Sequence, residues 1–114
     1  MSVVIYHNPR CSKSRQTLAL LEEKNIQPDI IRYLDTPPSV AELKSLFAQL
    51  SLDNVRAMMR TKEDVYKELN LADATDEQLF EAMSANPKLI ERPIVVSNGQ
   101  AKHGRPPEQV LDIL

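Results

Sequence analysis

The run Tyr6-His7-Asn8-Pro9-Arg10-Cys11-Ser12-Lys13-Ser14-Arg15 brings a thiol, an imidazole and three cationic side chains within ten residues. Cys11 is the single cysteine of the 114-residue chain, and its neighbours are polar and basic. An unpaired cysteine is ordinarily a small core residue among apolar side chains, so this setting argues for a reactive thiol. A helix starting here would offer unpaired N–H groups and the positive end of its dipole, both of which favour thiolate over thiol. The pKa would then fall and the sulfur become a nucleophile near neutral pH. The same N–H groups would cradle an oxyanion brought to the sulfur. Ser14 stands where a dithiol motif carries its second thiol, so any disulfide chemistry must take its other sulfur from outside the chain. His7 has two readings: an imidazolium that lowers the thiol pKa further, or a ring that bonds the loop backbone. Asn8 is expected to hold the turn through backbone hydrogen bonds.

The elements around this loop follow from periodicity. Val3 to Tyr6 is a short β-branched run suited to a buried strand, and Thr17, Leu18 and Leu21 recur at helical spacing after the loop. That helix is expected to fade near Asn25, with a second strand over Asp29 to Leu34. Strand, helix, strand implies parallel pairing. Ser39 with Glu42 and Thr75 with Gln78 each fit a capping box at a helix start. Between them, shorter helical stretches are expected over Val55 to Met59 and Glu63 to Leu69, and Pro87 ends the Thr75 helix. Ile94-Val95-Val96 reads as a strand that turns at Asn98-Gly99 into an antiparallel return over Gln100 to His103. Pro106-Pro107 then starts a last helix whose Val110, Leu111 and Leu114 face inward. The fold class is α/β, a thioredoxin-like core of βαβ followed by ββα, with a helical insertion over about 39–91. One domain spans 1–114.

Composition bounds the partners. A net charge of −2 offers no general attraction to nucleic acid or to an anionic membrane. The start MSVVIYHNPR lacks the pattern of a secretory leader, and no apolar run nears the length of a membrane span. One cysteine permits no internal disulfide. The cytoplasm is the expected compartment, and a monomer the expected state.

The whole chain resembles the glutaredoxin- and glutathione-coupled arsenate reductases. The likeness is carried by Tyr6-His7-Asn8-Pro9-x-Cys11-x-x-Ser14-Arg15-x-Thr17-Leu18 and by Tyr33-Leu34-x-x-Pro37-Pro38. It continues in Val55-Arg56-Ala57 leading to Arg60, in Arg92-Pro93-Ile94-Val95-Val96, in Arg105-Pro106 and in Val110 to Leu114. The resemblance implies a nucleophilic Cys11, a histidine tuning it at His7, and three arginines around the substrate at Arg60, Arg92 and Arg105. Asn8 and Ser14 would support the anion loop. It also implies a cis bond at Arg92–Pro93, arsenate as substrate, glutathione as co-substrate, glutaredoxin as protein partner, and no bound metal or organic cofactor. Taken singly, each arginine would read as a surface charge or an ion pair.

Two departures qualify that resemblance. Some members of the family carry a glycine just after the nucleophile and a cysteine just before the third arginine, where this chain has Ser12 and Gly104. Two rival functions share the fold. A general glutathione-dependent thiol oxidoreductase would need Cys11 but not the arginines. A regulator that binds RNA polymerase would use a Cys-x-x-Cys switch, which Ser14 removes.

Overall fold

The computed structural model describes residues 2–114. Its chain divides into two compact units, Met1–Thr36 with Arg92–Leu114, and Pro37–Glu91.

The first unit is built on a four-stranded sheet. Strand β1 (Val3–Tyr6) leads through the Cys11 loop into helix α1 (Ser12–Glu23) and then strand β2 (Asp29–Ile31). Helix α1 ends where Asn25 takes a left-handed φ of 61° and the Ile26 N–H returns to the Leu21 carbonyl at 3.0 Å. Asparagine tolerates this conformation better than most residues. After the other unit, β3 (Ile94–Ser97) and β4 (Gln100–His103) follow, then a 3-10 helix over Pro107–Ile113. The spatial order is β2-β1-β3-β4. Strands β1 and β2 pair in parallel, with Ile5 opposite Ile30, while β3 runs antiparallel to β1 and to β4. This mixed sheet with its helices is the thioredoxin-like arrangement. Asn98 and Gly99 turn the hairpin with φ of 56° and 75°, the left-handed pair that a two-residue turn demands.

The core of this unit joins Val3, Ile5, Leu21, Val95, Val110 and Ile113. Burying each such side chain contributes roughly 1.5–3 kcal/mol. Strand β2 stops at Ile31, three residues before Leu34, because the Asp35 and Thr36 N–H groups both turn back to the Arg32 carbonyl at 2.9 Å. The last helix also differs from expectation. A 3-10 helix repeats every three residues, so Pro107, Val110 and Ile113 are the buried set, and Leu111 lies outward at 36% exposure.

The second unit is helical. Helix α2 (Val40–Leu50) and helix α4 (Asp76–Ala85) each begin with a complete reciprocal capping box, from Ser39 with Glu42 and from Thr75 with Gln78. Leu43, Leu46 and Leu50 of α2 are buried, as are Leu79, Phe80, Ala82 and Met83 of α4. Phe47 and Phe80 meet edge to face at 5.9 Å, and Lys44 pairs with Glu77 at 2.6 Å. Between them lie a 3-10 turn over Val55–Met58, a short helix α3 (Asp64–Glu68) and a further turn over Leu71–Asp73. Arg56 ties these together, donating to the carbonyls of Leu71, Ala72 and Ala74 at 2.8–3.1 Å and to the Tyr66 hydroxyl at 3.1 Å. A 3-10 turn over Pro87–Leu89 follows α4.

Candidate functional site

Cys11 occupies the N-cap position of α1 with an extended backbone, φ −92° and ψ 125°. The loop before it is fixed by Asn8. The Asn8 carbonyl accepts the Cys11 N–H at 3.0 Å, and the Asn8 Oδ1 accepts the Arg10 N–H at 3.0 Å. This is an Asx turn, in which the side chain mimics a backbone turn. From the surface, Arg15 Nη1 donates to the Pro9 carbonyl at 2.9 Å.

Ser14, expected to support the anion loop, is bonded at two points of it. Its buried hydroxyl lies 2.6 Å from His7 Nδ1 and accepts the Asn8 N–H at 3.0 Å. One small side chain therefore clasps the end of β1, the loop and the first turn of α1. His7 is 6% exposed. Burial, then the charges of Arg32 and Arg15, hold its pKa below the ordinary 6.5. That direction weighs against the imidazolium reading near neutral pH, and the ring's Nδ1 has the Ser14 hydroxyl as its partner. Burial beside two guanidinium groups disfavours imidazolium.

The half-buried thiol of Cys11 has its pKa held below the ordinary value. Burial acts on it most strongly and pushes it up. The Ser14 N–H, the Arg92 charge, the Lys13 N–H and a hydrogen bond from the Arg92 side chain together outweigh that. The helix start thus acts as expected, through its second and third amides. Arg105 completes the cluster, with Nη2 3.9 Å from Cys11 Sγ and Nε donating to the Arg92 carbonyl at 2.7 Å. The Arg92–Pro93 and Arg105–Pro106 peptide bonds are both cis; the first was expected, the second was not.

Cys11, Arg92 and Arg105 therefore meet in one unit, above the His7–Ser14–Asn8 clasp. Arg60 belongs to the other unit. There its N–H donates to the Leu89 carbonyl at 2.7 Å, and its Nε pairs with Glu63 at 3.1 Å. Chemically, a thiolate flanked by two guanidinium forks and two backbone amides suits attack on an anionic, oxygen-rich electrophile. No group of three or more His, Cys, Asp or Glu side chains that could hold a metal ion occurs among the described residues. No helix among them is long and apolar enough to cross a membrane.

The profile of the ArsC family matches residues 6–113. The chain belongs to the ArsC family. It is 59% identical to a protein named arsenate reductase from Haemophilus influenzae, over the full length of both. It is also 58% identical to the uncharacterized Escherichia coli protein YfgD, with 98% of this chain and 96% of that one covered. Among solved structures it is similar to the arsenate reductase from Vibrio cholerae, with 70% identity, a TM-score of 0.98, and coverage of 100% of this chain and 98% of that one.

Gly104, which the sequence marks only as a departure from the family pattern, proves to be tightly packed in this ArsC site. Gly104 is buried between β4 and Arg105, and its N–H donates to the Pro93 carbonyl at 3.0 Å. A Cβ there would collide with Thr17 Oγ1 and lie 2.8 Å from Pro93 Cγ. The signal in sequence was its place just before Arg105, where some members of the family carry a cysteine.

Proposed function

We propose that this ArsC chain reduces arsenate to arsenite through a covalent Cys11–arsenate intermediate, with glutathione and glutaredoxin supplying the electrons. The observation that carries the reading is the placement of Arg92 and Arg105 around a Cys11 thiol of lowered pKa. The names of similar full-length proteins support it.

Arsenate carries more than one negative charge near neutral pH, so an approaching thiolate meets like charge. Guanidinium forks neutralise the oxygens and align the arsenic. In the proposed sequence, the Cys11 thiolate forms an S–As bond as an arsenate oxygen leaves as water. The glutathione thiolate then attacks Cys11 Sγ and breaks that bond, leaving its electron pair on arsenic, which passes from As(V) to As(III) and departs as arsenite. Glutaredoxin reduces the resulting Cys11–glutathione disulfide. Arg60 enters this reading only as the third arginine that the family resemblance implies for the oxyanion. His7 is a positioning residue that acts through Ser14 on the loop. The expected compartment is the cytoplasm and the expected state a monomer.

The deciding experiment is a coupled assay with arsenate, glutathione, glutaredoxin, its reductase and NADPH. Arsenate-dependent NADPH oxidation that disappears in Cys11→Ser is the expected outcome. A parent protein that forms the glutathione mixed disulfide but never turns over arsenate would instead be a general thiol oxidoreductase.

A further inference from the structure

Gly104 sits where three constraints meet. Its N–H is bonded to the Pro93 carbonyl at 3.0 Å, so the chain there is held against the segment carrying Arg92. The space where a Cβ would go is filled by Thr17 Oγ1, with Thr17 Cβ at 3.1 Å and Pro93 Cγ at 2.8 Å. Thr17 is fully buried and its hydroxyl donates to the Lys13 carbonyl at 2.8 Å, which fixes its rotamer. Nor can the proline ring swing freely, because Pro93 is itself buried. Any side chain at 104 must therefore push either the segment next to it or the first turns of α1, whose amides face the sulfur.

The residue that follows is Arg105, which reaches both the Arg92 carbonyl and the Cys11 sulfur. From this close approach we infer that Gly104 is a positioning residue, one that in this chain sets the distance of the Arg105 guanidinium from the Cys11 sulfur. As a statement about catalysis this rests on the arsenate reading above. As a statement about the charge around the thiol it stands without it. Glycine is needed here for lack of a Cβ and not for a left-handed φ.

The test uses two alkylating agents of similar size and different charge. Iodoacetate is drawn to Cys11 by the neighbouring guanidinium groups, whereas iodoacetamide is not, so the ratio of their rates reports the local positive charge. Gly104→Ala is expected to lower that ratio about fivefold, the effect of one screened charge about 4 Å away. Arg105→Gln should lower it in the parent background and add nothing in the Gly104→Ala background, a non-additivity that a purely structural glycine would not produce. Arsenate kcat/KM, followed in parallel, is expected to fall about tenfold or more, the size of one lost charge-assisted contact. If Gly104→Ala does not fold, the pair Thr17→Ala/Gly104→Ala removes the nearest clash but keeps Pro93 Cγ at 2.8 Å, so the ratio should still fall, though by less. A folded variant with the parent's ratio, or additive effects at 104 and 105, overturns the inference. So does failure of both variants to fold, because Gly104 would then serve the fold and not the arginine. A parent inert toward arsenate would refute the functional reading alone, and the alkylation ratio would still judge Gly104.

Discussion

The thioredoxin-like unit and the helical unit bury different kinds of side chain. Among the described residues, the buried polar side chains are His7, Asn8, Ser14, Thr17 and Ser97, and all five lie in the thioredoxin-like unit. The helical unit buries Leu43, Leu46, Val55, Met58, Leu79, Met83 and other apolar groups, and keeps its polar bonding at caps and turns. Charge divides the same way. Residues 1–36 with 92–114 hold eight Lys and Arg against six Asp and Glu, a net +2, while 37–91 hold six against ten, a net −4. Burying polar groups is costly unless each is bonded. A unit that buries His7, Asn8 and Ser14 together is therefore spending stability on geometry, and that geometry is the Cys11 loop. The helical unit shows no such outlay; its one outlying candidate, Arg60, is paired with Glu63.

The largest expected effect sharpens this contrast from the helical side. Leu43 is fully buried, and Leu43→Ala should cost about 2–5 kcal/mol of stability. The groups that shift the Cys11 pKa are Ser14, Arg92 and Lys13, all in the other unit. Urea unfolding should show the loss, while the pH profile of thiol alkylation in the folded protein stays put. A moved profile would break the division of labour.

The next effect comes from the arginines. Arg92→Lys and Arg105→Lys keep charge but lose the fork, and each should lower arsenate kcat/KM about ten- to hundredfold, from a loss of about 1.5–3 kcal/mol. Melting temperature should hardly move. Parent-like turnover in both variants would remove the oxyanion role from the thioredoxin-like unit.

Ser14→Ala should cost about 1–3 kcal/mol, because it strands the buried Asn8 N–H and the His7 ring. Unlike Leu43→Ala, it should also raise the midpoint of Cys11 alkylation as the first turn of α1 loosens. Unchanged thiol chemistry would make the clasp purely structural.

The smallest effect is a pH dependence of stability. The His7 pKa is below 6.5 in the folded protein, so once the pH drops under 6.5 the unfolded chain binds a proton that the native ring resists. Stability should be intact above that pH and decline below it, until the folded-state pKa is passed. Denaturant titrations at successive pH values should show this decline in the parent and a shallower one in His7→Asn. Equal slopes would mean that the His7 pKa is the same in the folded and the unfolded chain.

Local signals in the sequence were easy to read where one short segment suffices to specify the geometry. The Asn98-Gly99 turn, both capping boxes and the place of Cys11 at a helix start are of this kind. The cis bond at Arg92–Pro93 and the grouping of Arg92 with Arg105 came from family likeness, since no periodicity joins residues 13 positions apart. What stayed hidden depends on tertiary approach. The His7–Ser14 bond spans a strand, a loop and a helix start. The tight fit at Gly104 depends on Thr17, far away in the chain. Val110 and Ile113 were placed by the choice between 3.6 and 3 residues per turn, which a seven-residue segment leaves open.

Strand β2 forms one rim of the sheet and is only three residues long, with Ile30 half exposed and Asp29 at its start. A foreign strand laid along that rim would gain few main-chain bonds before the backbone turns away at Arg32. It would also have to bring its apolar side chains past a carboxylate. Short, charged rims are how sheets resist stacking onto one another. The brevity of the strand thus limits what the exposed Ile30 offers to a second sheet.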